Sequence, residues 1–159
     1  MNSIVIYGSR HGNTRKVAEA IAGTLREHGK VQVLSAEKAP TILPEATDLL
    51  VVGGPTEGHR MTEPVAQFFD RLSKGVLAGK AAAAFDTRLR WPVWLSGSAG
   101  SGIEQMLLRA GARVIAPEVS FFVSGKLPEL EPGELERAAE WAALLVTRVE
   151  SKEPVAAGL

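Results

Sequence analysis

The chain has no cysteine among its 159 residues, which excludes disulfides, thiolate catalysis and cysteine-ligated metal. It has no excess of either charge. Eighteen Lys and Arg balance eighteen Asp and Glu, so nothing draws it toward nucleic acid or an anionic membrane. No apolar run approaches the roughly 20 residues of a membrane-spanning helix. The chain enters an apolar run by Ile4, which leaves no room for a signal peptide, and a cytoplasmic protein is expected. The three histidines, His11, His28 and His59, have neither metal-ligand spacing nor triad partners, so no metal site is expected. His28 instead suits the C-terminal end of its helix. No G-x-S-x-G surrounds Ser9, and no catalytic residue is assigned. Two nucleotide signatures are missing as well: G-x-x-x-x-G-K-[ST] and G-x-G-x-x-G.

What is present is an alternation of apolar runs and helical stripes. Ile4-Val5-Ile6-Tyr7 reads as a first strand, followed by a helix with Val17, Ile21 and Leu25 on one face. Val31–Leu34 reads as a second strand, and Ala36 to Thr47 as a connection. Asp48 to Gly54 is a third strand whose continuous apolar run suits burial on both faces. Val65, Phe68, Phe69 and Leu72 recur at helical spacing, with Pro64 placed for a first turn. Lys80 to Phe85 holds four alanines that favour helix by propensity, yet its short length and preceding Gly79 favour a fourth strand. A helix follows through Ile103, Met106, Leu107 and Ala110, then a last strand from Val114 to Val123 interrupted at Pro117. Leu135, Ala138, Ala142, Leu145 and Val149 stripe a final helix begun near Pro132. One domain over residues 1–150 is expected, with a loose tail over 151–159.

Five strands alternating with helices imply an α/β fold: three layers, a doubly wound parallel sheet and right-handed crossovers. Ligands of such folds lie beyond the carboxyl ends of the strands. The first of those loops, Ser9-Arg10-His11-Gly12-Asn13-Thr14, has the makings of a phosphate cradle. The first-turn N–H groups of the next helix lack intrahelical partners and stand at its positive end. Ser9 and Thr14 add hydroxyls, and Gly12 permits close backbone approach. The loop after the third strand, Pro55-Thr56-Glu57-Gly58-His59 and onward to Thr62, offers backbone groups to a ring edge but no aromatic residue. The loop after the fourth strand, Asp86 to Gly100, is long for such a connection and carries Trp91 and Trp94.

The S-x-x-G-N-T pattern after a first strand and the G-P-T turn after V-V-G resemble the flavodoxin-like family, and the likeness extends through G-A-R-V-I-A-P and the last helix. The resemblance implies a five-stranded sheet of order 2-1-3-4-5 and non-covalently bound FMN. Its phosphate would be held by Ser9, Arg10, His11, Gly12, Asn13 and Thr14. Its ring would lie between Pro55, Thr56, Glu57, Gly58 and His59 on one side and Thr87, Arg88, Trp91 or Trp94 on the other. Electron transfer through FMN is the leading expectation, to a redox protein or a small-molecule acceptor, by a monomer or homodimer. An FMN-dependent NAD(P)H or quinone-type reductase or oxidase is the alternative, and a flavodoxin-fold domain that has lost FMN a third. Carriers of this family are typically acidic. This chain is neutral, and Arg60, Arg88 and Arg90 in the expected loops would favour an anionic flavin or substrate. A phospho-receiver domain shares the architecture but needs acidic residues where Gly8-Ser9 and Gly53-Gly54 stand.

Overall fold

The computed structural model describes residues 1–151. Five strands form the parallel body of the sheet: β1 (Asn2–Tyr7), β2 (Lys30–Ser35), β3 (Leu49–Glu57), β5 (Ala81–Leu89) and β7 (Val119–Ser124). They lie in the order β2-β1-β3-β5-β7, which is the expected 2-1-3-4-5. Three short strands are added: β4 (Arg60–Met61) antiparallel to β3, β6 (Arg113–Val114) parallel to β5, and β8 (Glu129–Leu130) antiparallel to β7. The helices are α1 (Asn13–Arg26), α2 (Glu63–Arg71), α3 (Val93–Ser96), α4 (Ala99–Arg109) and α5 (Glu134–Ser151).

Strand alternation sorts the core into two halves. Leu49 and Val51 of β3 and Ala81, Ala83 and Phe85 of β5 face α1 and α5. Leu50, Val52, Ala82 and Ala84 face α2 and α4. The alanines therefore work as strand residues: paired with β3 from Leu49↔Ala81 to Pro55↔Thr87, they let helices approach the middle of the sheet from both sides. Tertiary pairing overrides their helix propensity. Gly53 serves the same packing, since a Cβ there would stand 2.2 Å from the Phe85 ring. Phe85, Phe121 and Trp141 then meet edge to face at 6.0–6.4 Å, so the third tryptophan belongs to the core.

Three expectations are corrected by tertiary pairing, and a fourth falls mostly beyond the described residues. Pro55–Glu57 is the end of β3, not open loop, and turns back into β4 through a two-residue hairpin. The segment from Asp86 is not one long loop, because β5 runs on to Leu89 against β7, and α3 and the start of α4 take up much of the rest. The last strand is two pieces, β6 and β7, both aligned on β5. Ser151 closes α5, and the rest of the expected tail, 152–159, lies outside the described residues. Among the described residues no helix is long and apolar enough to cross a membrane.

Candidate functional site

The carboxyl ends of β1, β3, β5 and β7 open on a cavity of about 220 Å³. Its floor begins at the loop before α1. Gly12 adopts φ +85°, which only glycine takes without strain, and a Cβ there would meet nothing within 4 Å. The Gly12 N–H donates to Ser9 Oγ at 3.1 Å and so closes the loop on itself. Lys16 is the first residue to bond back into the helix, from its N–H to Gly12 O at 3.1 Å. The first-turn amides ahead of it have no intrahelical partner and stand at the positive end of α1. Asn13 is fixed by donating from Nδ2 to Pro128 O at 2.7 Å, and the Thr14 and Thr87 hydroxyls hydrogen-bond to each other at 2.8 Å, either able to donate.

The hairpin joining β3 to β4 forms one wall. Gly58 (φ +52°) and His59 (φ +71°) occupy its two central positions, the two positive φ angles of a primed hairpin turn. Histidine tolerates this region better than most non-glycine residues. His59 also bridges Gly97 at the end of α3, where a Cβ would collide with the His59 carbonyl. The hairpin tip and the α3–α4 link are thus stitched together through backbone. Across the mouth, Arg10 pairs with Glu57 at 3.3 Å, an exposed ion pair worth little by itself.

Beneath that wall lies Asp86, fully buried. Its Oδ2 accepts from Thr56 Oγ1 at 2.9 Å, Ser98 Oγ at 2.9 Å and Gly100 N–H at 3.0 Å. Thr56 Oγ1 accepts in turn from Ala99 N–H at 2.8 Å. Asp86 Oδ1 has no protein partner among the described residues. One carboxylate therefore holds the end of β3, the cap of α4 and its first turn. Next to it, burial pushes the Glu118 carboxyl above its ordinary range. The Ser101 hydroxyl opposes that shift, Asp86 and Glu104 reinforce it, and Arg88 opposes it.

The cavity gathers most residues expected from the sequence: Arg10, His11, Asn13, Thr14, Pro55, Thr56, Glu57, Thr87 and Arg88. An adjoining cleft of about 230 Å³ is lined by Gly58, His59 and Trp91, and shares Thr56, Arg88 and Leu89 with the first. Ser9 and Gly12 shape the loop without lining either space. Trp94 lines neither and is 84% exposed on α3. Each space alone is smaller than the roughly 300–1,000 Å³ of small-molecule sites, and together they fall inside that range. The arginines are placed otherwise than their sequence positions suggest. Arg90 is drawn away to Glu131 at 2.7 Å, and Arg60 is exposed on β4. Val123, Gly125 and Pro128, contributed by β7 and the turn after it, complete the lining and carry no sequence signal for such a role. Asp86 carried one, a lone acid ending an apolar strand, which sequence reasoning did not use.

Residues 4–90 match the family model of the flavodoxin domain. A flavodoxin of Aquifex aeolicus is 33% identical over 93 residues, 55% of this chain and 50% of its own length. An NAD(P)H dehydrogenase (quinone) of Gluconacetobacter diazotrophicus is 31% identical over 107 residues, 52% of this chain and 54% of its own. The chain spans about half the length of these two curated relatives. The crystal structure of oxidised flavodoxin 1 from Bacillus cereus superposes with a TM-score of 0.76 at 24% identity, over 92% of this chain and 98% of that one.

Proposed function

The chain belongs to the flavodoxin domain family, and from that premise we propose how its twin cavity holds FMN and serves electron transfer. As a flavodoxin-like protein it is an FMN-binding redox protein. The observation that carries the assignment of the site is the open mouth at the positive end of α1, lined by Arg10, His11, Asn13 and Thr14 and adjoining a cleft along the end of β5. A phosphate suits the first: unpaired first-turn amides and the Thr14 hydroxyl are neutral donors that favour an anion without needing a counter-charge. A planar ring suits the second, between the hairpin tip and Leu89–Trp91.

FMN when bound supplies the electron-accepting ring; the chain supplies position, exclusion of water and electrostatics. Ser9 and Gly12 preset the loop. Asp86 braces the hairpin against α4 and fixes the Thr56 side of the ring cleft. The partner is a redox protein or a small-molecule acceptor, met at the exposed edge that Trp91 borders, by a monomer or homodimer. A stand-alone NAD(P)H-dependent reductase is the second reading, favoured by the half-buried, cationic Arg88 in the cleft.

The test is a visible spectrum of the purified protein and an FMN titration of its tryptophan fluorescence. Flavin bands, or saturation near one equivalent, support the assignment; a colourless protein indifferent to FMN overturns it. NAD(P)H turnover with an added quinone then separates reductase from carrier.

A further inference from the structure

Arg88 differs from the other arginines around the site. Arg10 is paired with Glu57, Arg90 with Glu131, and Arg137 with Glu134. Arg88 has no carboxylate within 4.0 Å among the described residues and is held by neutral acceptors alone. Its Nε donates to Ser120 Oγ at 2.8 Å, and its Nη1 to Trp91 O at 2.7 Å and to Leu89 O and Ser96 Oγ at 3.3 Å. The side chain is half-buried against the face of Phe122, 5.1 Å from the ring centroid, and it lines both cavities. The acids near it are otherwise engaged. Asp86 Oδ2 is taken by three donors, and Glu118 accepts from Ser101. A cation held without an ion-pair partner, with Glu118 as a longer-range neighbour, leaves part of its field to act on whatever fills the space.

We propose that Arg88 selects the charge of the bound ring, preferring two-electron-reduced, anionic FMN to the neutral oxidised form. The proposal rests on FMN occupying the twin cavity. Two electrons and one proton, the content of one hydride from a reduced nicotinamide, convert the neutral oxidised ring into one bearing a single negative charge. A fixed guanidinium in a partly dry cleft stabilises that added charge more than it would in water. Tighter binding of the reduced form raises the midpoint potential, offsetting the absence of any net positive charge on the chain as a whole.

The experiment compares the FMN-loaded protein with Arg88→Gln and Arg88→Lys. It measures the dissociation constant for oxidised FMN by fluorescence, and the midpoint potential against reference dyes with dithionite as reductant. Arg88→Gln is expected to weaken reduced FMN at least about tenfold more than oxidised FMN, the scale of one charge-assisted hydrogen bond. For a two-electron couple that tenfold is a fall of about 30 mV. Arg88→Lys keeps the wild-type potential while weakening both forms, because the ammonium retains the charge and loses the fork that braces Trp91 and Ser96. Equal weakening of both forms by Arg88→Gln would reduce Arg88 to a loop brace and overturn the proposal, as would Arg88→Lys behaving like Arg88→Gln. A wild-type protein that binds no FMN removes the functional assignment first and this proposal with it.

Discussion

The hydroxyl oxygens of Thr14 and Thr87 lie 2.8 Å apart, both side chains buried, and join the first turn of α1 to β5 across 73 residues of sequence. Each hydroxyl completes the other, and both residues line the cavity that opens at the start of α1. The pair couples the proposed phosphate end of the site to the strand that carries Arg88.

Removing one hydroxyl strands its partner. Thr14→Val or Thr87→Val is expected to cost about 1–3 kcal/mol of stability, and the double variant less than the sum of the two. Chemical denaturation of the four proteins checks this. FMN affinity should fall by about 10–100-fold in Thr14→Ala if its hydroxyl also meets the phosphate, and an unchanged affinity would remove Thr14 from the site.

Asp86→Ala leaves the donors on Thr56, Ser98 and Gly100 without their shared acceptor. A loss of about 3 kcal/mol or more is expected, larger than for an exposed acid. Proteolysis should then cut first near the hairpin tip or the α3–α4 link, the two segments Asp86 holds together. Unaltered cleavage there would show that the His59–Gly97 bridge suffices to keep them in place.

Glu118 sets a pH dependence of definite sign. Its carboxyl is raised above the ordinary value, chiefly by burial, so the folded protein takes up its proton more readily than the unfolded chain. The stability this contributes is present below the unfolded-state value and is lost as pH rises through the raised folded-state value. Glu118→Gln is therefore expected to raise Tm at neutral pH and to do so less, or not at all, near pH 4. A variant that raises Tm equally at both ends would place the gain elsewhere.

The two rim tryptophans separate by fluorescence. Trp91 lines the cleft and is 53% exposed, whereas Trp94 is 84% exposed and lines neither space. Trp91→Phe should remove most of the quenching produced by FMN and Trp94→Phe little of it. Trp94→Ala should change stability by no more than about 0.5 kcal/mol. The opposite pattern in the titrations would mean that α3 turns its outer face inward when the site fills.

The sequence by itself determined the layers and the strand count of the parallel body. Continuous apolar runs such as Leu49–Val52 require cover on both faces, and the stripes of α1 and α5 supply it on one face, those of α2 and α4 on the other. Loops at the carboxyl ends follow from that topology, and Ser9, Gly12 and Thr14 are legible there as a turn before a helix through residue type alone. What only the tertiary structure decided was pairing across distance. Whether Pro55–Glu57 and Thr87–Leu89 are loop or strand depends on β4 and β7 being there to bond them. Which arginine is left without an ion-pair partner depends on Glu57 and Glu131 reaching Arg10 and Arg90, and on neither reaching Arg88. Asp86 became a hub because three donors from two segments, the end of β3 and the start of α4, converge on one buried oxygen. Local chemistry is written in residue types, but charge compensation and hydrogen-bond convergence are properties of neighbours in space, and these neighbours lie from 12 to 47 residues apart in the chain.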